Sequence, residues 1–267
     1  SGTGTESNSY LISSAEDIAK IHNDLNGYYK LTANINMNGV SFTPIGNEYE
    51  GAFTGTIDGN GYTISNLNIN LPDNKYVGFV GCLEGNIKNL NITDVDALGY
   101  RYVGGVVGYV CENAIVDNCN ISGNIRGEYK INSVYGGGVS GYNTGVISNC
   151  INNSTVSANN YAGGITGYND YGTISNCTNN STISANNYAG GITGRNYYGI
   201  ISNCTNRGAV SRSISGGIAG YNIGMIRNCK NSGSINSSGY AGGITGCFES
   251  GPPRPHRGGV PRDAGGP

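Results

Sequence analysis

The chain has 267 residues, of which 46 are Gly and only 12% are charged, with no Trp and a formal net charge of −2. Ordinary domains carry about 25% charge and about 7% Gly, so a charge-dressed helical fold is excluded. With no basic stripe to neutralise phosphates, nucleic-acid binding is excluded as well. No apolar run approaches the ~20 residues of a membrane helix, and a regular Ile/Val beat with 20 Tyr is foreign to a disordered chain.

The opening "SGTGTESNSY" has neither an initiator Met nor a charged-then-apolar leader. It reads as the start of a mature product or an excised fragment, with residues 1–8 as a flexible lead-in. Residues 9–50 read as a cap. In "SSAEDIAKIHNDLNG", Glu16 follows Ser13 by the capping-box spacing, and Ile18, Ile21 and Leu25 then recur at helical spacing as far as Gly27. A short helix here suits the end of a stacked β structure, which otherwise exposes core and an unpaired strand edge. "YYKLTANINM" reads as the first strand.

Residues 51–247 are dominated by a repeat. A Gly-Gly-aliphatic core recurs at Gly104, Gly137, Gly163, Gly190, Gly216 and Gly242, with later intervals of 26, 27, 26 and 26 residues. The first interval is 33, so Gly127–Tyr135 holds an inserted loop. Worn copies of the unit begin at Tyr76 and Gly51. Each unit is made of short β-branched bursts ("GGITGY", "GTISNC", "STISAN") bounded by Gly or Asn, which are strand and turn signals. Units this short are too small for propeller blades. The expected fold is all-β: a single-chain parallel β-helix, or β-solenoid, of about eight coils of 26–27 residues, with each strand pairing one coil up and one coil down.

The repeat supplies columns. Ile64, Ile87, Val116, Ile147, Ile174, Ile201 and Ile226 are expected to face inward. Three residues later stand Leu67, Leu90, Cys119, Cys150, Cys177, Cys204 and Cys229. Both columns can face in only if the chain turns between them; Asn66, Asn89, Asn149, Asn176, Asn203 and Asn228 suit that corner, because Asn tolerates left-handed dihedrals. Since Leu shares the Cys slot, buried free thiols are expected there in preference to disulfides. Residues 248–267, Pro-, Gly- and Arg-rich, break the pattern and read as a disordered or vector-derived tail.

The units "GGVVG", "GGVSG", "GGITG" and "GGIAG", followed by "YN.G.ISNC", resemble the GLUG-motif repeats of bacterial surface and secreted proteins, over about Tyr10–Gly246. The resemblance implies an extracellular or cell-surface location and a larger parent protein. Similar repeats occur in adhesin-like proteins and beside the catalytic domain of peptidases that cleave immunoglobulin A.

Chemistry is sparse. The two His, His22 and His256, lack the H-E-x-x-H context of a zinc peptidase. Between Asn118 and Cys247 the acids are Glu128 and Asp170, where a glycosidase needs a facing pair. Asp94 and Asp96 share a face if their segment is a regular strand. "DGNG" at Asp58–Gly61 reads as a tight turn, short of the ligands a calcium loop requires. No cofactor or metal is expected. A regular Thr array for ice binding is broken at Val107, Ser140 and Ala219. Two aromatic columns remain: Tyr76, Tyr102, Tyr135, Tyr161, Tyr188, Ile214, Tyr240, and Tyr109, Tyr142, Tyr168, Arg195, Tyr221. One role is ring stacking along the rod, with Arg195 over Tyr168 or Tyr221. The other is a ligand-contact strip of Tyr142, Tyr168, Arg195 and Tyr221 that grips a glycan or host glycoprotein. The sequence is thus read as a non-catalytic stalk or adhesive module. The alternatives are a carbohydrate-active β-helix enzyme and the repeat part of a larger secreted peptidase.

Overall fold

The computed structural model describes residues 2–47, 49–128 and 134–248. The centre of the inserted loop, and the tail from residue 249 with His256, lie outside the described residues. Over the described residues the protein is all-β, a parallel solenoid of about eight turns with one short helix near the N-terminus. Among the described residues the strands form sheets of nine, seventeen and seven.

The first sheet is built from β-branched triplets such as Val146–Ser148, Thr173–Ser175 and Ile200–Ser202, paired parallel and in register. Its inward column is Ile57, Ile87, Val116, Ile147, Ile174, Ile201, Ile226. Ile64 does not belong to it: Ile64 pairs with Ile35 and Ile92 in the second sheet. The stretch "TIDGNGYTISN" holds two similar strand-and-turn pieces. The earlier one, turning at Asn60 (φ 51°), occupies the first sheet. Leu67 moves with Ile64, its carbonyl accepting from Asp96 N beside Val95. Leu90 keeps the Cys slot, since its carbonyl accepts from Asn120 N just as that of Cys119 accepts from Ile151 N.

The corner after the first sheet is made by Asn89, Asn118, Asn149, Asn176, Asn203 and Asn228, all at φ between 51° and 55°. This left-handed conformation costs an Asn little and lets the aliphatic and Cys columns both point inward. Asn66 is also left-handed (φ 57°), but it stands beside Asp94 (φ 53°) at a second-sheet bend. That bend shifts the register between Ile92 and Val95, so Asp94 and Asp96 are not on one regular strand face.

Buried asparagine carries the other two sheets. Asn143, Asn169, Asn196 and Asn222 form a ladder in which each Nδ2 donates to the next Oδ1 at 2.8 Å. Asn152, Asn179, Asn206 and Asn231 repeat the device, again at 2.8 Å. Their oxygens also accept local backbone N–H groups, as Asn152 does from Ser154 at 3.0 Å and Asn143 from Gly145 at 3.2 Å. An amide meets its donors and its acceptors this way, which is what lets it sit in a core.

At the N-terminus the helix spans Ala15–Ala19 and continues as a 3₁₀ turn, Lys20–Asn23. Its cap is Ser14 rather than Ser13: Ser14 Oγ accepts from Asp17 N at 3.2 Å, while Asp17 Oδ2 accepts from Ser13 N and Oγ at 3.1 Å each. The box is displaced by one residue, with Asp17 doing the work expected of Glu16. Ile18 and Ile21 are buried over the first coil. Strand pairing already begins inside the 9–50 segment, where Tyr10–Ile12 joins Tyr28–Leu31, and Tyr28 N donates to Gly4 O at 2.9 Å. The final described coil leaves Met225, Tyr240 and Phe248 exposed.

Candidate functional site

The sharp turn at each Gly-Gly-aliphatic core places two tyrosine columns side by side, one ending the second sheet and one in the third. The turn needs backbone in close contact: a Cβ on Gly167 would lie 2.7 Å from Gly136 N. In register, the first column is Tyr76, Tyr102, Tyr135, Tyr161, Tyr188, Ile214. The second is Cys82, Tyr109, Tyr142, Tyr168, Arg195, Tyr221, Cys247.

Within each column the rings stack. Centroids are 4.9 Å apart for Tyr109–Tyr142 and Tyr142–Tyr168, and 5.4 Å for Tyr135–Tyr161. Between columns they meet edge to face, as for Tyr102–Tyr142 at 5.3 Å and Tyr135–Tyr168 at 5.4 Å. Both arrangements suit the ring quadrupole. Arg195 interrupts the second column without breaking it, its guanidinium 5.1 Å from the Tyr168 ring and 5.0 Å from those of Tyr197 and Tyr221. This is the cation–π placement expected from the sequence.

The packing decides what this strip can do. Tyr142 and Tyr168 are only 8% and 9% exposed, and their ring faces lie on one another. A sugar ring cannot stack on faces already occupied, so the expected grip through the faces of Tyr142 and Tyr168 is not available. Arg195 and Tyr221 are half-buried. The phenol of Tyr142 donates to Asp170 Oδ2 at 2.6 Å. Burial first, and then the Asp170 charge, hold the Tyr142 hydroxyl above the ordinary tyrosine range. Burial raises Tyr109 and Tyr168 too, with the Arg195 charge partly offsetting the rise at Tyr168.

More open rings lie one corner further on, and the sequence reading passed over them. Tyr171 and Tyr198 are half-buried and stack at 5.3 Å, with Tyr197 edge-on to Tyr198 at 4.6 Å. Both Tyr171 (φ 55°) and Tyr198 (φ 50°) are left-handed, a conformation that is strained for a bulky residue. The visible signal was "NDYG" and "NYYG", where other units read "YNTG" and "YNIG".

The carboxylates have structural partners. Asp96 pairs with Arg126 at 2.7 Å, and Asp117 accepts from Ser148 Oγ and Asn149 Nδ2 at 2.6 and 2.7 Å. Asp58 accepts from Asn60 N at 2.8 Å, which makes "DGNG" the tight turn expected. His22 Nδ1 meets Glu50 at 2.8 Å. Asp170 is on the third sheet, whereas Glu128 borders an open groove of about 700 Å³ on the second, together with Asp73, Asn159, Asn186 and Arg212. Among the described residues, no group of three or more His, Cys, Asp or Glu is placed to hold a metal.

The family model of the GLUG motif matches residues 158–184, 185–211 and 212–236. The chain carries GLUG-motif repeats. It is 35% identical over 149 residues to Halomucin of Haloquadratum walsbyi, covering 51% of this chain and 2% of that one. It is 28% identical over 156 residues to the immunoglobulin A1 protease of Streptococcus sanguinis, covering 48% and 8%. The chain therefore spans a small fraction of these relatives. A crystal structure from Bacteroides ovatus, described as an immunoglobulin A1 protease, superposes with a TM-score of 0.76 at 23% identity, over 93% of this chain and 86% of that one. At that identity the likeness concerns the fold, the parallel β-solenoid. No described helix is long and apolar enough to cross a membrane.

Proposed function

We propose that this GLUG-repeat solenoid is a non-catalytic, stiff spacer of a larger extracellular protein, carrying other domains away from an anchoring surface. The observation that carries this reading is the continuity of its inter-coil bonding. Three in-register sheets, two buried Asn ladders and two interlocked Tyr columns all run along the rod, and each coil is finished by the next. The acids contribute to corners and ion pairs instead of converging. The relatives Halomucin and immunoglobulin A1 protease favour a secreted or surface setting.

The test removes one repeat. Deleting residues 185–211 joins equivalent positions of neighbouring coils and shortens the rod by one ~4.8 Å step. The expected outcome is a folded protein, shorter by small-angle scattering and otherwise unchanged in circular dichroism. Loss of folding, or turnover of any polysaccharide or immunoglobulin by the intact chain, would defeat the reading.

An adhesive contact with a glycan or glycoprotein is the second reading. It now rests on the more open, strained pair Tyr171 and Tyr198 rather than on the packed rings of Tyr142 and Tyr168. A glycan array probed with the intact chain and with Tyr171→Ala/Tyr198→Ala tests it: hits lost in the double variant support contact, and an array without hits leaves only the spacer.

A further inference from the structure

Four of the eight cysteines, Cys119, Cys150, Cys177 and Cys204, are committed to the core. Cys150, Cys177 and Cys204 are buried, each Sγ donating to a carbonyl two residues back at 3.1, 3.2 and 3.3 Å. They stand at equivalent corner positions of successive coils, about 4.8 Å apart, with neighbouring thiols such as Cys177 and Cys204 in contact. That spacing exceeds the ~3.8 Å between Cβ atoms that a disulfide prefers.

One thiol pair is placed differently. Cys82 is in strand Val80–Leu83, at the head of the second tyrosine column. Cys111 follows strand Val107–Val110 on the next coil, where Cys111 N donates to Leu83 O at 2.8 Å. The two residues are thus diagonal rather than opposite one another, and their sulfurs converge to 3.5 Å. Both are half-buried. Closing to a bond of about 2.05 Å asks each sulfur to move roughly 0.7 Å.

We propose that Cys82 and Cys111 are a built disulfide site, which closes between neighbouring coils when the protein meets a low-molecular-weight disulfide. The reaction is thiol–disulfide exchange. The Cys82 thiolate attacks one sulfur of the small disulfide, forming a mixed disulfide and expelling one small thiolate. The Cys111 thiolate then attacks Cys82 Sγ, forms the inter-coil S–S bond and expels the second small thiolate. The two protons lost by the protein go to the two small thiols, so the small disulfide is reduced and the cysteine pair is oxidised. With the two roles exchanged the same bond forms, because either sulfur can be the donor across the 3.5 Å contact. Glu84 nearby disfavours the thiolate at both, so exchange quickens as the solution is made alkaline. The cross-link fastens two early coils, next to the first packed tyrosines.

The experiment incubates the full chain with glutathione disulfide and maps the products. Cleavage after Lys88, Arg101 and Glu112 separates Cys82, Cys111 and Cys119. The expected product is a linked peptide pair carrying Cys82 and Cys111, with a urea midpoint higher than that of the reduced protein. Cys82→Ser and Cys111→Ser each retain one glutathione adduct at the remaining thiol, and each loses the gap in midpoint. Stable glutathione adducts on both cysteines of the natural chain, or linkage within the Cys119–Cys229 column instead, would overturn the assignment. So would an untouched pair under conditions that modify both thiols of the urea-unfolded chain.

Discussion

Asn179→Ala removes one rung of an interior ladder, and the structure states what is lost. Asn179 is fully buried. It accepts from Asn152 Nδ2 at 2.8 Å and donates to Asn206 Oδ1 at 2.8 Å. It also donates to Ser181 O at 2.9 Å and accepts from Ser181 N at 3.3 Å. Asn206 still accepts from Gly208 N and Asn152 still donates to Ser154 O, but one buried Nδ2 hydrogen of Asn152 loses its partner. Each lost bond is worth about 0.5–1.5 kcal/mol. Four such bonds put the cost at roughly 2–6 kcal/mol, and the unpaired Asn152 hydrogen favours the upper half of that range.

The control is next door. Asn180 belongs to an exposed ladder and donates to Asn153 Oδ1 at 2.9 Å, where water replaces the lost partner. Asn180→Ala should cost less than about 0.5 kcal/mol. Urea unfolding followed by circular dichroism compares the two. Equal costs would refute the claim that the interior ladder holds the coils together. Asn179→Asp adds a pH signature, since burial raises a carboxyl pKa above its unfolded value near 3.9. The folded-state advantage is present below that unfolded value and is lost as pH rises through the folded one. This variant should therefore gain stability on acidification relative to the natural chain.

Three further outcomes follow from the packing. Gly164→Val should lower the melting temperature strongly, because a Cβ there sits 2.2 Å from Gly191 O and 2.4 Å from Asn179 Cγ; Gly243→Ala, with nothing within 4 Å, should not. The buried Cys119, Cys150, Cys177 and Cys204 should resist alkylation until the fold opens; half-buried Cys229, on the open last coil, should react ahead of them by its accessibility, although its contact with Cys204 also raises its thiol. Tyr109, Tyr142 and Tyr168 hold their protons above the unfolded tyrosine value near 10, so the unfolded chain releases protons first and stability falls as pH climbs past it. Their phenolate absorbance should appear together with loss of the circular-dichroism signal, and a phenolate step within a folded chain would contradict the packing described.

The repeat, the β-solenoid, the corner asparagines from Asn89 onward and both tyrosine columns were legible because each is written several times. Five or six copies make a column visible, and a column in a stacked fold is a contact. Where copies are few, the reading slipped: Ile64 and Leu67 sit in the most diverged coil, where "TISN" mimics the later "ISNC" while occupying another sheet. The interior ladders were missed although Asn169 and Asn179 recur as faithfully as the corner residues. Asn is normally an exposed or turn residue, and only a stack of amides satisfying each other makes its burial tolerable. The ring stacking expected along both tyrosine columns is present, but the depth of its burial was not legible. Spacing along a strand shows that rings align, whereas the adjacency that buries them comes from the Gly-Gly turn, which brings a second column against the first.

The same geometry accounts for the scarcity of charge. In an in-register parallel stack, a residue type repeated in every unit meets its own copy about 4.8 Å away. Two like charges at that distance repel by about 1 kcal/mol in water and by several at the lower effective dielectric of a protein surface. Asn, Ser, Thr and Tyr meet their copies favourably instead, by hydrogen bonding or stacking. Charge survives where the neighbouring coil differs: Asp96 beside Arg126, Lys88 near Asp58 at 3.8 Å, and Arg195 between tyrosines. The exposed column Asn153, Asn180, Arg207 offers a direct test, since Arg207 Nη1 donates to Asn180 Oδ1 at 3.3 Å. Asn180→Lys puts a second cation one coil from Arg207, and Asn180→Glu puts an anion there. The Lys variant should be the less stable of the two by about 1 kcal/mol at low salt, and the gap should shrink as added salt screens the pair. Equal urea midpoints at low salt would mean that inter-coil repulsion has no part in setting this composition.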